Sequence, residues 1–301
     1  MLSKAVFLGA SALFLAFAGL SSDDLRVTTR HGSEPEHPVT VPGSEVAAAH
    51  KAVAGPEDAE LSSDAARVEE AVSVLSTQIR RQSHPDALRY AIRAYYNFQD
   101  RYPERVRKPY LYFVDFGLDS RTPRGYVFDM SNQTRVEGPF MVAHGRGSVV
   151  GDASVPSRFR NTSGSNATSL GLYIAQETYA FRGKSAGRSY KSIGLRLDGV
   201  SGSFNNRARA RGIVVHGAPY VTRQRAGRSE GCPAMELELA QRLIQMIANG
   251  GLVFHFSPAD REWMQEDPWV TSPMQSASAD KAKTAGPSVI VIQVELMRMR
   301  P

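Results

Sequence analysis

The sequence predicts a mainly β body, a sandwich or barrel, with a short helical segment before it and one amphipathic helix near its end. Three observations carry that prediction. From Pro109 to Phe256, short apolar runs alternate with turn residues, the pattern of a many-stranded body rather than of βαβ units. Helical periodicity is confined to two stretches ahead of that region and one inside it. Hydrophobic content of 42% with 22% charged residues fills a sizeable core without cross-links.

The elements follow in order. Lys4, the apolar run Ala5 to Leu15 and the small-x-small triplet Ala16-Phe17-Ala18 read as a signal peptide over residues 1–18, with Gly19 as the first mature residue. The apolar stretch is about 16 residues, short of the ~20 that a spanning helix needs. An exported protein with no stable membrane insertion after signal cleavage is therefore expected. Residues 19–60 are rich in Pro, Ser, Gly, Ala and acidic residues and read as a flexible linker.

Residues 61–106 read as a helical segment packed on the main body. Ser63 is a candidate cap for a first helix through Ile79, and Pro85-Asp86 open a second that Pro103 ends. Tyr90, Tyr95, Tyr96 and Phe98 are read as packing residues of that pair. Strands are expected at 110–116, 125–129, 139–144, 170–175, 192–197, 212–216 and 252–256. Leu239, Leu243, Ile244 and Ile247 form the apolar face of the amphipathic helix, which Gly250-Gly251 stops. The main body thus spans 107–258. Residues 259–301 read as a polar tail with a possible extra strand over Val289 to Leu296. The long loop 145–169 reads as a substrate-facing flap.

Net charge is +6, which favours anionic partners. The arginines are dispersed, so no nucleic-acid stripe is expected. Gly145-x-Gly-x-x-x-Gly151 lacks the Lys-Ser/Thr pair of a phosphate loop. Asp152 after His144 invites a zinc reading, but no Glu-x-x-His and no second thiol accompany it. No cofactor and no metal are expected, and the protein is read as a monomer.

The chemistry centres on Cys232, the single cysteine of the 301 residues. An exported lone thiol makes no internal disulfide. It lies in Ser229-Glu230-Gly231-Cys232-Pro233, a polar context rather than an apolar one. His216-Gly217 ends a predicted strand sixteen residues earlier. A thiol nucleophile needs a base or a lowered pKa, and imidazole is the usual partner. Cys232 is expected on a turn just ahead of a helix, where free N–H groups stabilise negative charge and form an oxyanion hole.

His216-Gly217 followed by Ser229-Glu230-Gly231-Cys232 resembles the murein L,D-transpeptidase catalytic domain family (YkuD-type). Tyr112 to Phe116, Val142 to Ser148, Ser169 to Ile174, Phe204 to Val221 and Gly227 to Ala234 are similar to it as well, so the resemblance covers roughly residues 85–257. It implies an L,D-transpeptidase-type β-sandwich acting on peptidoglycan stem peptides. Cys232 would attack the carbonyl before the terminal D-alanine of a tetrapeptide stem. The resulting thioester would pass to an amine, giving a 3-3 cross-link. His216 would serve as base and then acid, the Gly217 carbonyl would orient its ring, and the N–H groups of Gly231 and Cys232 would hold the oxyanion.

One departure stands out. The family usually has an arginine two residues after the cysteine, and this chain has Ala234. Arg228 or Arg225 would then meet the substrate carboxylate. Ser229 is read as a turn or oxyanion residue. His144, Tyr173, Tyr220 and Arg211 are further candidates for substrate binding, and His255 is read as structural. The same Cys/His pair also fits an L,D-carboxypeptidase or a peptidase that cleaves cross-links, with water as acceptor. A catalytically inactive wall-binding protein is a third reading, which the intact His216, Gly231 and Cys232 oppose.

Overall fold

The computed structural model describes residues 56–271, with side chains from 63 onward. The expected signal peptide, most of the linker and the strand expected at 289–296 lie outside the described residues. Helix α1 (Pro56–Ser76) begins inside the stretch read as linker, which corrects that boundary. Proline is readily accepted in the first turn, where its missing N–H costs nothing.

Helix α2 (Ala87–Arg101) buries Leu88, Ala91, Ile92, Tyr95 and Phe98, one stripe at i, i+3, i+4 spacing. Val68, Ala71 and Leu75 of α1 are buried in the same cluster. Arg67 of α1 pairs with Asp100 and lies 4.3 Å from the Tyr96 ring centre. The α2 aromatics thus pack the core.

The strands join into one eight-stranded mixed sheet and a two-stranded one. The strands are β1 (Tyr110–Asp115), β2 (Gly125–Asp129), β3 (Thr134–Phe140), β4 (His144–Gly145), β5 (Gly171–Ser185), β6 (Arg188–Gly199), β7 (Val214–Gly217), β8 (Arg228–Ser229), β9 (Ala234–Met235) and β10 (Leu252–Phe256). The large sheet runs β3-β2-β1-β10-β5-β6-β7-β9, and β4 pairs with β8. The body is mainly β, as the turn-punctuated pattern indicates. Strands β1 and β10 are parallel neighbours at its centre, and both are buried along almost their whole length, as central strands are.

Strands β5 and β6 reach much further than the apolar runs at 170–175 and 192–197. They form a long hairpin closed by Ala186 and Gly187, both at positive φ (48° and 76°), the primed turn that matches strand twist. Helix α3 (Leu237–Ile247) packs Ala240, Leu243, Ile244 and Ile247 onto β6 and β7.

The stretch read as a tail from 259 is corrected over its first part. Helices α4 (Arg261–Glu266) and α5 (Pro268–Thr271) follow β10. They carry Trp263, fully buried beside Phe254 and Phe256, and Trp269, packed edge-on to Phe98. Buried Asp267 accepts hydrogen bonds from Trp263 Nε1 (2.8 Å) and Trp269 N (2.9 Å). Two large rings give this short segment enough apolar surface to hold it on the core.

Candidate active site

His216 sits on β7, paired with Gly194 of β6 on one side and Ala234 of β9 on the other. The β7–β9 pairing thus carries residue 234, two beyond Cys232, to the level of the imidazole. His216 is buried, with Nδ1 3.0 Å from the Gly217 carbonyl oxygen. A carbonyl only accepts, so Nδ1 carries the proton and Nε2 keeps its lone pair. Burial pushes the imidazole down to about 4, with the Gly217 hydrogen bond opposing; the ring is neutral at pH 7. It stacks on Phe181 with centroids 4.2 Å apart and meets Tyr220 edge-on at 6.5 Å.

Cys232 is partly exposed. Gly231 before it has φ +123°, a conformation that side chains rarely adopt. The turn is laced from within: Ser229 Oγ donates to the Cys232 carbonyl (2.6 Å) and accepts from Gly231 N–H (3.2 Å). Ser229 is therefore the clasp of the turn. The Gly231 N–H, expected to face an oxyanion, here donates to Ser229 Oγ within the turn.

The sulfur faces the segment 212–214. Cys232 Sγ donates to the Gly212 carbonyl at 3.7 Å. Burial pushes the thiol up to about 11; the Val214 backbone amide and the Arg211 charge pull it down, and Glu230 adds to the rise. The helix expected near Glu236 starts at Leu237, and Ala234-Met235 first pair with β7 between it and Cys232. The backbone of the 212–214 strand entry surrounds the sulfur, not a helix N-terminus.

The loop 145–169 is bound tightly to this turn. Thr168 Oγ1 accepts from Gly145 N–H (2.9 Å) and donates to the Gly231 carbonyl (3.2 Å). Arg146 Nε lies 2.9 Å from both carboxylate oxygens of Glu230. Arg228 donates to the carbonyls of Gly151 (3.0 Å) and Ala153 (3.2 Å), so its guanidinium anchors the loop. Arg211 does the same with four contacts, to Arg160 O (2.8 Å), Ser165 Oγ (3.1 Å), Ala167 O (2.8 Å) and Ser169 Oγ (3.3 Å). These ties make the segment a fixed wall of the site rather than a loose flap.

Two of the residues read as substrate contacts are core residues. Tyr173 is fully buried, and its hydroxyl donates to the Ser169 carbonyl at 2.7 Å. His144 is buried with Nδ1 2.9 Å from Arg124 Nη2. Guanidinium only donates, so His144 Nδ1 accepts and its proton sits on Nε2. Burial, with the charges of Arg124 and Arg228, pushes it down to about 3. Tyr220 does belong to the site, half-buried beside His216 and hydrogen-bonded to Tyr190.

Sequence reasoning missed Tyr179, Phe181 and Tyr190. They alternate along the β5–β6 hairpin and present one aromatic face to His216 and Cys232. Their spacing, with Gly183 and Gly194 opposite, was the available signal. A Cβ on Gly183 would fall 2.4 Å from the Tyr190 ring, and one on Gly194 would fall 2.6 Å from the Tyr179 ring.

The family model for the L,D-transpeptidase catalytic domain matches residues 80–256. The chain belongs to that family. Among solved structures, an L,D-transpeptidase from Mycobacterium smegmatis is 13% identical with a TM-score of 0.30, over 50% of this chain and 59% of that one. An L,D-transpeptidase from Mycobacterium tuberculosis is 15% identical with a TM-score of 0.30, over 50% and 58%. Bd1075 of Bdellovibrio bacteriovorus is 16% identical with a TM-score of 0.30, over 50% and 48%. The chain spans less than two thirds of each of these structures. The search of curated proteins gave no match. Among the described residues, no helix is long and apolar enough to cross a membrane, and no group of three or more His, Cys, Asp or Glu is placed to hold a metal ion.

Proposed function

We propose that this protein is a peptidoglycan L,D-transpeptidase of the bacterial envelope, with Cys232 as nucleophile and His216 as general base and acid. The observation that carries the reading is the contact of His216 Nδ1 with the Gly217 carbonyl oxygen. With Nδ1–H held by the Gly217 carbonyl, Nε2 is a free base on the strand next to the one that continues from Cys232. A backbone carbonyl here does the orienting work that a carboxylate does in a serine-protease triad.

Both partners rest neutral, because burial raises the thiol and lowers the imidazole. The thiol leaves the Gly212 carbonyl and passes its proton to His216 Nε2 as sulfur attacks the carbonyl before the terminal D-alanine. The Cys232 N–H stabilises the oxyanion. Collapse breaks the amide bond, and His216 returns the proton to the departing D-alanine amine. An acceptor amine then gives a proton to His216 and attacks the thioester, forming the new amide and releasing the thiolate, which takes that proton back. Water in place of the amine would give hydrolysis.

Incubation with purified disaccharide-tetrapeptide followed by mass spectrometry tests this. A dimer lacking one D-alanine is expected; tripeptide alone would mean a hydrolase. Cys232→Ala should abolish either product, and activity surviving that change would sink the mechanism. A carbapenem should add its mass to the intact protein at Cys232.

A further inference from the structure

The β5–β6 hairpin has two unlike faces. Tyr179, Phe181 and Tyr190 point to the thiol side. Arg182, Lys184 and Lys191 occupy the alternate positions and are exposed, as is Arg188 at the turn. Arg182 is the direct cross-strand partner of Lys191. Like charges placed so are destabilising.

Among the described residues, no carboxylate pairs with them. No Asp or Glu occurs from Thr178 to Leu197. Arg196, the remaining cation of the hairpin, pairs with Glu177 and covers Tyr179. Arg182, Lys184, Arg188 and Lys191 have no ion pair among the described residues. A lysine often protects an exposed strand edge from pairing, but edge protection does not require two cations opposite each other. The hairpin also extends past its neighbours: β10 pairs only with 171–174 and β7 only with 194–196.

We propose that this cationic face is a docking surface for carboxylate-rich wall polymer, taking the stem peptides that flank the one held at Cys232. The inference rests on the peptidoglycan reading above. One face of the ribbon lines the thiol, so a polymer seated on the other stays within reach of it. The turn Ser185-Ala186-Gly187-Arg188 offers no large apolar side chain for insertion into a bilayer, which favours the polymer over an anionic lipid surface.

The test compares the full chain with Arg182→Gln/Lys191→Gln. That double variant removes a repulsion, so it is expected to fold. Retention on sedimented, purified peptidoglycan is measured at ~10 mM and ~150 mM NaCl, where the Debye length is about 30 and 8 Å. The wild type should be retained at low salt and released at high salt. The variant should lose several-fold of the low-salt retention, while carbapenem acylates Cys232 at the wild-type rate. Equal retention of the two proteins overturns the proposal, as does a wild type that sediments with phosphatidylglycerol vesicles and not with the wall polymer. Product formation from soluble tetrapeptide does not use this face, so its failure would strike the transpeptidase reading separately.

Discussion

The imidazole of His216 lies flat on the ring of Phe181, planes 17° apart and centroids 4.2 Å apart. Gly217 fixes the proton of that imidazole, and Phe181 fixes its tilt. Phe181→Ala should leave the hydrogen bond but free the ring to rotate and hydrate. Aromatic contacts of this kind contribute about 0.5–1.5 kcal/mol beyond burial, so kcat should fall roughly two- to tenfold. The His216 pKa should also rise from its depressed value, because burial is what lowers it. An NMR titration of the imidazole checks this, and Phe181→Tyr should restore both properties.

Three buried histidines predict how stability varies with pH. His144 is pushed down to about 3, and His216 and His255 to about 4, each chiefly by burial. The unfolded chain, with histidines near 6.5, binds more protons between pH 6.5 and 4. Stability should therefore fall as pH drops through that window. Buried Asp115 and Asp267, both raised by desolvation, act in the opposite direction. His144→Asn isolates one contribution, since its side-chain oxygen can still accept from Arg124. Urea denaturation of that variant should show a pH slope shallower by about 1.4 kcal/mol per unit. An unchanged slope would mean that His144 is not held neutral.

The parts of this molecule legible in the sequence were those written locally. His216-Gly217 ends a strand and Gly231-Cys232 sits on a turn because glycine placement and apolar runs encode both. The remainder depends on pairing across long separations. The hairpin beyond Ala175 carries Arg182, Lys184 and Lys191 on one side, so no apolar run announces it. His144 and Tyr173 are polar residues near the site in sequence, yet Arg124 engages His144 Nδ1 and Ser169 engages the Tyr173 hydroxyl. Helices α4 and α5 are too short for a periodic signal, and Trp263 and Trp269 were their only advertisement.

Thr168 links two backbones at the thiol turn. Its hydroxyl accepts from Gly145 N–H and donates to the Gly231 carbonyl. Thr168→Val keeps the volume and strands both groups in a buried setting. Each buried polar group left without a partner costs about 1–3 kcal/mol. The denaturation midpoint should drop accordingly, and kcat should fall because Gly231 is no longer held. Thr168→Ser retains the hydroxyl and should recover most of the loss in both measurements.

Arg211 separates charge from contact at Cys232. Its two terminal nitrogens are engaged with Arg160, Ser165, Ala167 and Ser169, which leaves little capacity for a substrate carboxylate. It precedes Gly212, whose carbonyl holds Sγ, and its charge pulls the thiol down against burial. Among the described residues, Arg211 is the cation whose charge opposes the rise in the Cys232 thiol. Arg211→Met should raise the pH midpoint of iodoacetamide alkylation and slow acylation at neutral pH. Arg211→Lys loses the planar set of hydrogen bonds but keeps the charge. It should therefore lower the melting temperature as Arg211→Met does, yet leave the alkylation midpoint near wild type. Equal midpoints for the two variants, both shifted, would assign Arg211 a purely structural role.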